Sequence, residues 1–87
     1  MPERECVRIQ FQGLLFRFYF DIDGLHALRY GVDIPDILET FFEGKRFWNP
    51  NRDRWESRTG RHLLYWAWYD GREESAEVVI ISSHPLD

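Results

Sequence analysis

Three histidines and a concentrated run of arginines are the side chains of this 87-residue sequence with the widest chemical reach. Residues 45–62 hold Lys45, Arg46, Arg52, Arg54, Arg58 and Arg61 against Asp53 and Glu56, a net charge of +4, while residues 1–44 and residues 63–87 each carry −4. The planar fork of arginine suits phosphate oxygens. Phe47, Trp48 and Trp55 alternate with these cations, and exposed aromatic rings stack on unpaired bases. Cutting RNA without a metal needs a base for the 2′-oxygen, an acid for the leaving 5′-oxygen and positive charge near the phosphate. Histidine fills the first two roles and arginine the third. The basic run fits a solvated strand face or loop equally well.

Other chemistries find little support. The total charge of −4 argues against indiscriminate nucleic-acid binding. There is no glycine-rich nucleotide motif, no G-x-S-x-G and no H-E-x-x-H. His26, His62 and His84 have no metal-ligand spacing, and the single cysteine, Cys6, can form neither an internal disulfide nor a zinc cluster. The expectation is therefore no metal and no cofactor. Asp21 and Asp23 precede a short helical pattern, which makes capping their simplest role. Apolar runs such as 78–81 fall far short of the ~20 residues of a membrane span. The charged opening residues are followed by no apolar signal region. These features predict one soluble, cytoplasmic domain over residues 1–87.

The positioning elements follow from periodicity. Val7–Phe11 and Leu14–Phe20 alternate as strands, joined by Gln12-Gly13 either as a hairpin or as one bulged strand. A short helix is expected over Gly24–Tyr30, stopped by Gly31. Asp33 caps a second helix, with Pro35 in its first turn and Gly44 at its end. Ile34, Ile37, Leu38, Phe41 and Phe42 form its apolar stripe. Strands are then expected at residues 46–48, 53–56, 62–69 and 76–82, the third central and the last covered on both faces. The expected class is α+β: an antiparallel sheet with two helices, both from the N-terminal half, packed on one face. On this pattern Trp66 and Trp68 belong to the core.

Several short motifs then line up in order. Leu25-His26-Ala27-Leu28-Arg29-Tyr30-Gly31-Val32 precedes the acidic 33–42 helix, and Phe20-Asp21 stands just before it. Gly60-Arg61-His62-Leu63-Leu64 opens the central strand, and Val79-Ile80-Ile81-Ser82-Ser83-His84 closes the sheet. Over about residues 18–86 this order resembles the BrnT-like group of RelE-fold proteins. Two positions depart from the family pattern: Tyr30 stands where a histidine precedes the glycine, and Ser83-His84 stands where the family has Ala-Arg.

The resemblance implies a RelE-like fold and a metal-independent endoribonuclease toxin of a type II toxin–antitoxin pair, neutralised by a cognate antitoxin protein. His26, Arg29, Arg61 and the end of the last strand fall on family motif positions. The expected catalytic set is His26, Arg61 and His84. The expected RNA contacts are Lys45, Arg46, Arg52, Arg54, Trp55 and Arg58. The rival expectation is a non-catalytic module that binds protein or self-associates as a homodimer. It is favoured by the acidic balance and by the aromatic patch of Phe47, Trp48 and Trp55.

Overall fold

The computed structural model describes residues 6–20 and 34–86. Six strands and one α-helix are found among them: β1 (Cys6–Phe11), β2 (Leu14–Phe20), α1 (Ile34–Glu43), β3 (Lys45–Asn49), β4 (Arg54–Arg58), β5 (His62–Trp68) and β6 (Glu77–Pro85). A single 3-10 turn, Glu73–Ser75, precedes β6. The short helix expected over Gly24–Tyr30 lies outside the described residues.

The strands form one sheet in the order β1-β2-β6-β5-β4-β3. It is mixed, which corrects the antiparallel expectation: β2 and β6 run parallel, with Phe18 beside Val78 and Phe20 beside Ile80. The two-helix layer is corrected as well, because α1 is the one α-helix among the described residues. The physical reason lies in connectivity. Alternation marks a strand but says nothing of its neighbour's direction. Here β3, β4, β5 and β6 reverse at each step, with β3 at the opposite edge of the sheet from the β1–β2 hairpin. Those reversals bring β6 back beside β2 pointing the same way.

Of the two options for the first strands, the hairpin is found, with Val7 opposite Phe18 and Phe11 opposite Leu14. Gln12 and Gly13 both take positive φ, 51° and 80°, as a two-residue turn matched to strand twist requires.

α1 lays its stripe across one sheet face. Ile37 and Phe41 are buried with Phe18, Phe20, Leu64, Trp66, Val78 and Ile80, while Ile34, Leu38 and Phe42 pack against that cluster. The aromatic rings interlock: Phe41 meets Phe18 edge-on at 5.1 Å and Trp66 at 4.7 Å, and Trp55 stacks on Trp66 at 5.8 Å. Such pairs add about 0.5–1.5 kcal/mol each beyond area burial. Inside this core the Trp66 indole N–H donates to the buried Ser57 hydroxyl at 2.8 Å.

At one point β6 departs from simple alternation. Tyr65 pairs with Ser82 but Trp66 pairs with Ile80, so Ile81 is an extra residue in a β-bulge. Before the bulge Val78 and Ile80 face the helix; after it the buried residue is Ser83. The helix side and the outer face are thereby exchanged for the last residues of β6.

Candidate nucleic-acid interface

The outer face of the sheet carries two lateral rows. In one, Phe47 lies opposite Glu56, Glu56 opposite Tyr65, and Tyr65 opposite Ser82. In the other, Lys45 lies opposite Arg58, Arg58 opposite Leu63, and Leu63 opposite His84. With strands about 4.8 Å apart, three steps separate Lys45 from His84 by roughly 14 Å. Lys45 and Arg58 therefore stand at one end of this row and His84 at the other, with aromatic rings in the adjacent row.

Local contacts tie the rows together. The His84 ring meets Tyr65 edge-on at 5.7 Å, and its Nε2 lies 3.2 Å from the Ser82 hydroxyl. The Arg52 guanidinium lies over the Tyr65 ring, 5.8 Å from its centre, a cation–π distance. Arg52 is placed by its turn: the Asn49 side-chain oxygen accepts the backbone N–H groups of Asn51 at 3.1 Å and Arg52 at 3.2 Å. Arg54 Nε donates to the Arg52 carbonyl at 3.1 Å, which holds its side chain against that turn. Asn49 also donates through Nδ2 to Glu56 at 3.0 Å, so this acid is engaged within the face.

Lys45 and Arg58 are both exposed and directly opposed, a like-charge pair that costs stability across strands. They border a shallow recess together with Phe47 and Gly60. Arg61 stands beside the same end of the sheet. Its carbonyl accepts the Leu86 N–H at 2.7 Å, next to the His84 end of β6, and its side chain is exposed. At the far side of the outer face Arg8 lies opposite Arg17 and Arg17 opposite Glu77, which accepts from the Tyr19 hydroxyl at 2.9 Å and lies 4.0 Å from Arg17.

Not every expected residue joins this face. Arg46 crosses to the helix side, its guanidinium 4.9 Å from the ring centres of Phe41 and Trp66 and 5.9 Å from Trp68. Burial there lowers its pKa from the ordinary guanidinium value, while the charge of Glu73 works in the opposite direction. Trp55 stacks on Trp66 on the helix side rather than beside the cations. His26 lies outside the described residues, as does Arg29. The structure thus gathers Lys45, Arg52, Arg54, Arg58 and His84 on one face, with Arg61 at its edge, and sets Arg46 and Trp55 apart.

Tyr65 is the member of the face that sequence patterning did not single out as a contact. Strict alternation around the core residue Trp66 is the signal that places Tyr65 outward. A second concavity of about 530 Å³ opens on the helix side, where Phe11, Phe16, Phe42 and Trp68 meet Arg46, Glu73 and Glu74. One cation against two carboxylates makes it a poor phosphate site. Among the described residues no three His, Cys, Asp or Glu side chains group as metal ligands, and no helix is long and apolar enough to cross a membrane. Comparison with protein-family models, curated proteins and solved structures finds no match in any of the three.

Proposed function

We propose that this protein binds single-stranded RNA on its outer sheet face and cleaves it there without a metal, as a BrnT-like toxin of the cytoplasm held in check by an antitoxin protein. The observation that carries the RNA reading is the Lys45–Arg58–Leu63–His84 row alongside the ring of Tyr65. Lys45, Arg58 and Arg52 offset phosphate charge, and Phe47 and Tyr65 offer flat surfaces for bases. At the end of the row His84 exchanges a proton with the strand. The 2′-oxygen gives up its proton and bonds to phosphorus, the bond to the 5′-oxygen breaks, and that oxygen takes up a proton. His84 serves one of the two transfers and water the other, while arginine offsets the charge on the phosphoryl oxygens. The antitoxin partner rests on the motif resemblance alone.

Cleavage of single-stranded RNA in the presence of a chelator tests this. Wild-type protein should release fragments ending in cyclic phosphate. His84→Ala should bind RNA and leave it intact, and Arg58→Ala should bind more weakly. RNA bound with salt-sensitive affinity but never cut would sink the enzymatic part, and absence of such binding would sink the whole proposal.

A second reading, a non-catalytic protein-association module, is favoured by one observation. Phe47 and Trp48 are 51% and 47% exposed on an edge strand.

A further inference from the structure

We propose that β3 pairs antiparallel with β3 of a second copy of the chain, centred on Phe47, joining the two sheets into one. This builds on the observation behind the second reading above, the exposed β3 edge, and it names the partner. Among the described residues β3 has β4 on one side and no strand on the other. A free edge normally carries charge, proline or a bulge to stop such pairing. β3 does begin with Lys45 and Arg46, yet its next two residues, Phe47 and Trp48, expose about half their surface on opposite faces.

The five-residue length sets the register. With Gly44 before it and Pro50, which has no N–H, after it, Lys45–Asn49 has Phe47 at its centre. Antiparallel pairing about Phe47 sets Phe47 against Phe47 of the second copy, Arg46 against Trp48 and Lys45 against Asn49. No like charges are directly opposed, in contrast to the Lys45–Arg58 pair within the chain. On the helix side Arg46 meets the second copy's indole, an arrangement in which a guanidinium gains cation–π attraction. Because paired residues share a sheet face, the two helix sides stay together and the two outer faces become continuous. The Lys45–Arg58 patches then flank the two-fold axis. Five residue pairs make a small interface, so a weak, concentration-dependent dimer is expected.

The test uses the full chain with Cys6→Ser, which removes the single native thiol. Directly opposed residues bring Cβ atoms within about 4.5–5.5 Å, close enough for a disulfide. Phe47→Cys in this background should cross-link under mild oxidation at least about tenfold faster than Arg8→Cys on the other edge strand, with circular dichroism confirming that both fold. Wild-type protein should dimerise in sedimentation equilibrium at concentrations up to about 1 mM, and Phe47→Lys should weaken that at least about tenfold. Equal cross-linking rates, a monomer throughout, or a dimer indifferent to Phe47→Lys overturns the proposal. RNA cleavage by the wild type tests the proposed function and leaves β3 pairing to be decided by cross-linking and sedimentation, so the two fail separately.

Discussion

His84 reaches the Tyr65 ring, 5.7 Å away and nearly perpendicular, only because Ile81 bulges out of β6. Without that extra residue, period-two alternation would place position 84 on the same side as Val78 and Ile80, beneath α1. The bulge instead buries Ser83 and delivers the imidazole to the cationic face. A histidine on a solvent-facing row is available to a ligand, and one under the helix would have been a buried polar group.

The position of His84 makes it separable from folding. It is exposed, and its side chain contacts Tyr65 and the Ser82 hydroxyl at the surface. His84→Ala should therefore change unfolding free energy by less than about 1 kcal/mol in urea titration. If it unfolds the protein, loss of RNA cleavage in that variant would say nothing about proton transfer.

Ser57 is expected to behave in the opposite way. Its hydroxyl is the acceptor for the Trp66 indole N–H at 2.8 Å, and both residues are fully buried. Ser57→Ala leaves that donor unsatisfied and should cost about 1–3 kcal/mol in denaturant unfolding. In a Trp66→Phe background, where the donor is already gone, the same substitution should cost much less. Equal costs in both backgrounds would show that the hydrogen bond contributes nothing of its own.

Gly44 is required by space rather than by backbone conformation. A Cβ there would collide with the Thr40 carbonyl oxygen and lie 3.0 Å and 3.1 Å from the backbone oxygen and nitrogen of Arg58. Its N–H also closes the last turn of α1 on Thr40 at 3.0 Å. Gly44→Ala should destabilise by about 1–3 kcal/mol, since the obstructing atoms are backbone and cannot rotate away. A melting temperature within a degree of the wild type would refute this.

Arg46 lays a partly exposed guanidinium over the helix-side rings of Phe41, Trp66 and Trp68. Burial lowers its pKa, so the fold disfavours the charged form, and Glu73 offsets this only in part. Arg46→Met keeps the packing on Phe41, Trp66 and Trp68 but gives up the cation–π contacts of a partly exposed guanidinium, so stability should change by less than about 1 kcal/mol. Arg46→Ala should lose stability through lost packing. A lowered basic pKa penalises the folded state below it, and the penalty fades only as pH climbs through the folded value. Since arginine stays protonated through the neutral range, the difference between Arg46→Met and wild type should be flat from about pH 5.5 to 8.5. RNA affinity should be unmoved by either substitution.

The sequence carried the elements well and their arrangement poorly. The stripe of Ile34, Ile37, Leu38, Phe41 and Phe42 specifies both α1 and its buried side, because apolar spacing is local information. The direction of β6 relative to β2 depends on how many reversals separate them, which no single strand records. The cationic face was visible as the charge of residues 45–62, but its membership was not. Arg46 adjoins Lys45 in sequence and points to the other side, as alternation dictates once the inward side of β3 is known. His84 escaped alternation altogether through the Ile81 bulge, for which the run Val78-Val79-Ile80-Ile81 gives no mark, since any of its members fills either side.

Lys45 offers the sharpest test of whether the outer face exists for a ligand. Directly opposite Arg58 and exposed, it adds cross-strand repulsion to the fold. Lys45→Thr removes the repulsion and substitutes a residue that fits strands, so the protein should gain about 0.2–1 kcal/mol in thermal or urea unfolding. If RNA lies across the face, the same variant should bind it more weakly. The slope of log affinity against log salt should also become shallower by about 0.7, the contribution of one phosphate contact to a single strand. Arg58→Thr should do the same, whereas Arg17→Thr, at the Glu77 end of the sheet, should leave the slope unchanged. Opposite signs for stability and affinity at one position mark a surface kept at the expense of the fold. A stabilised Lys45→Thr protein with undiminished RNA affinity would remove this row from the RNA contact.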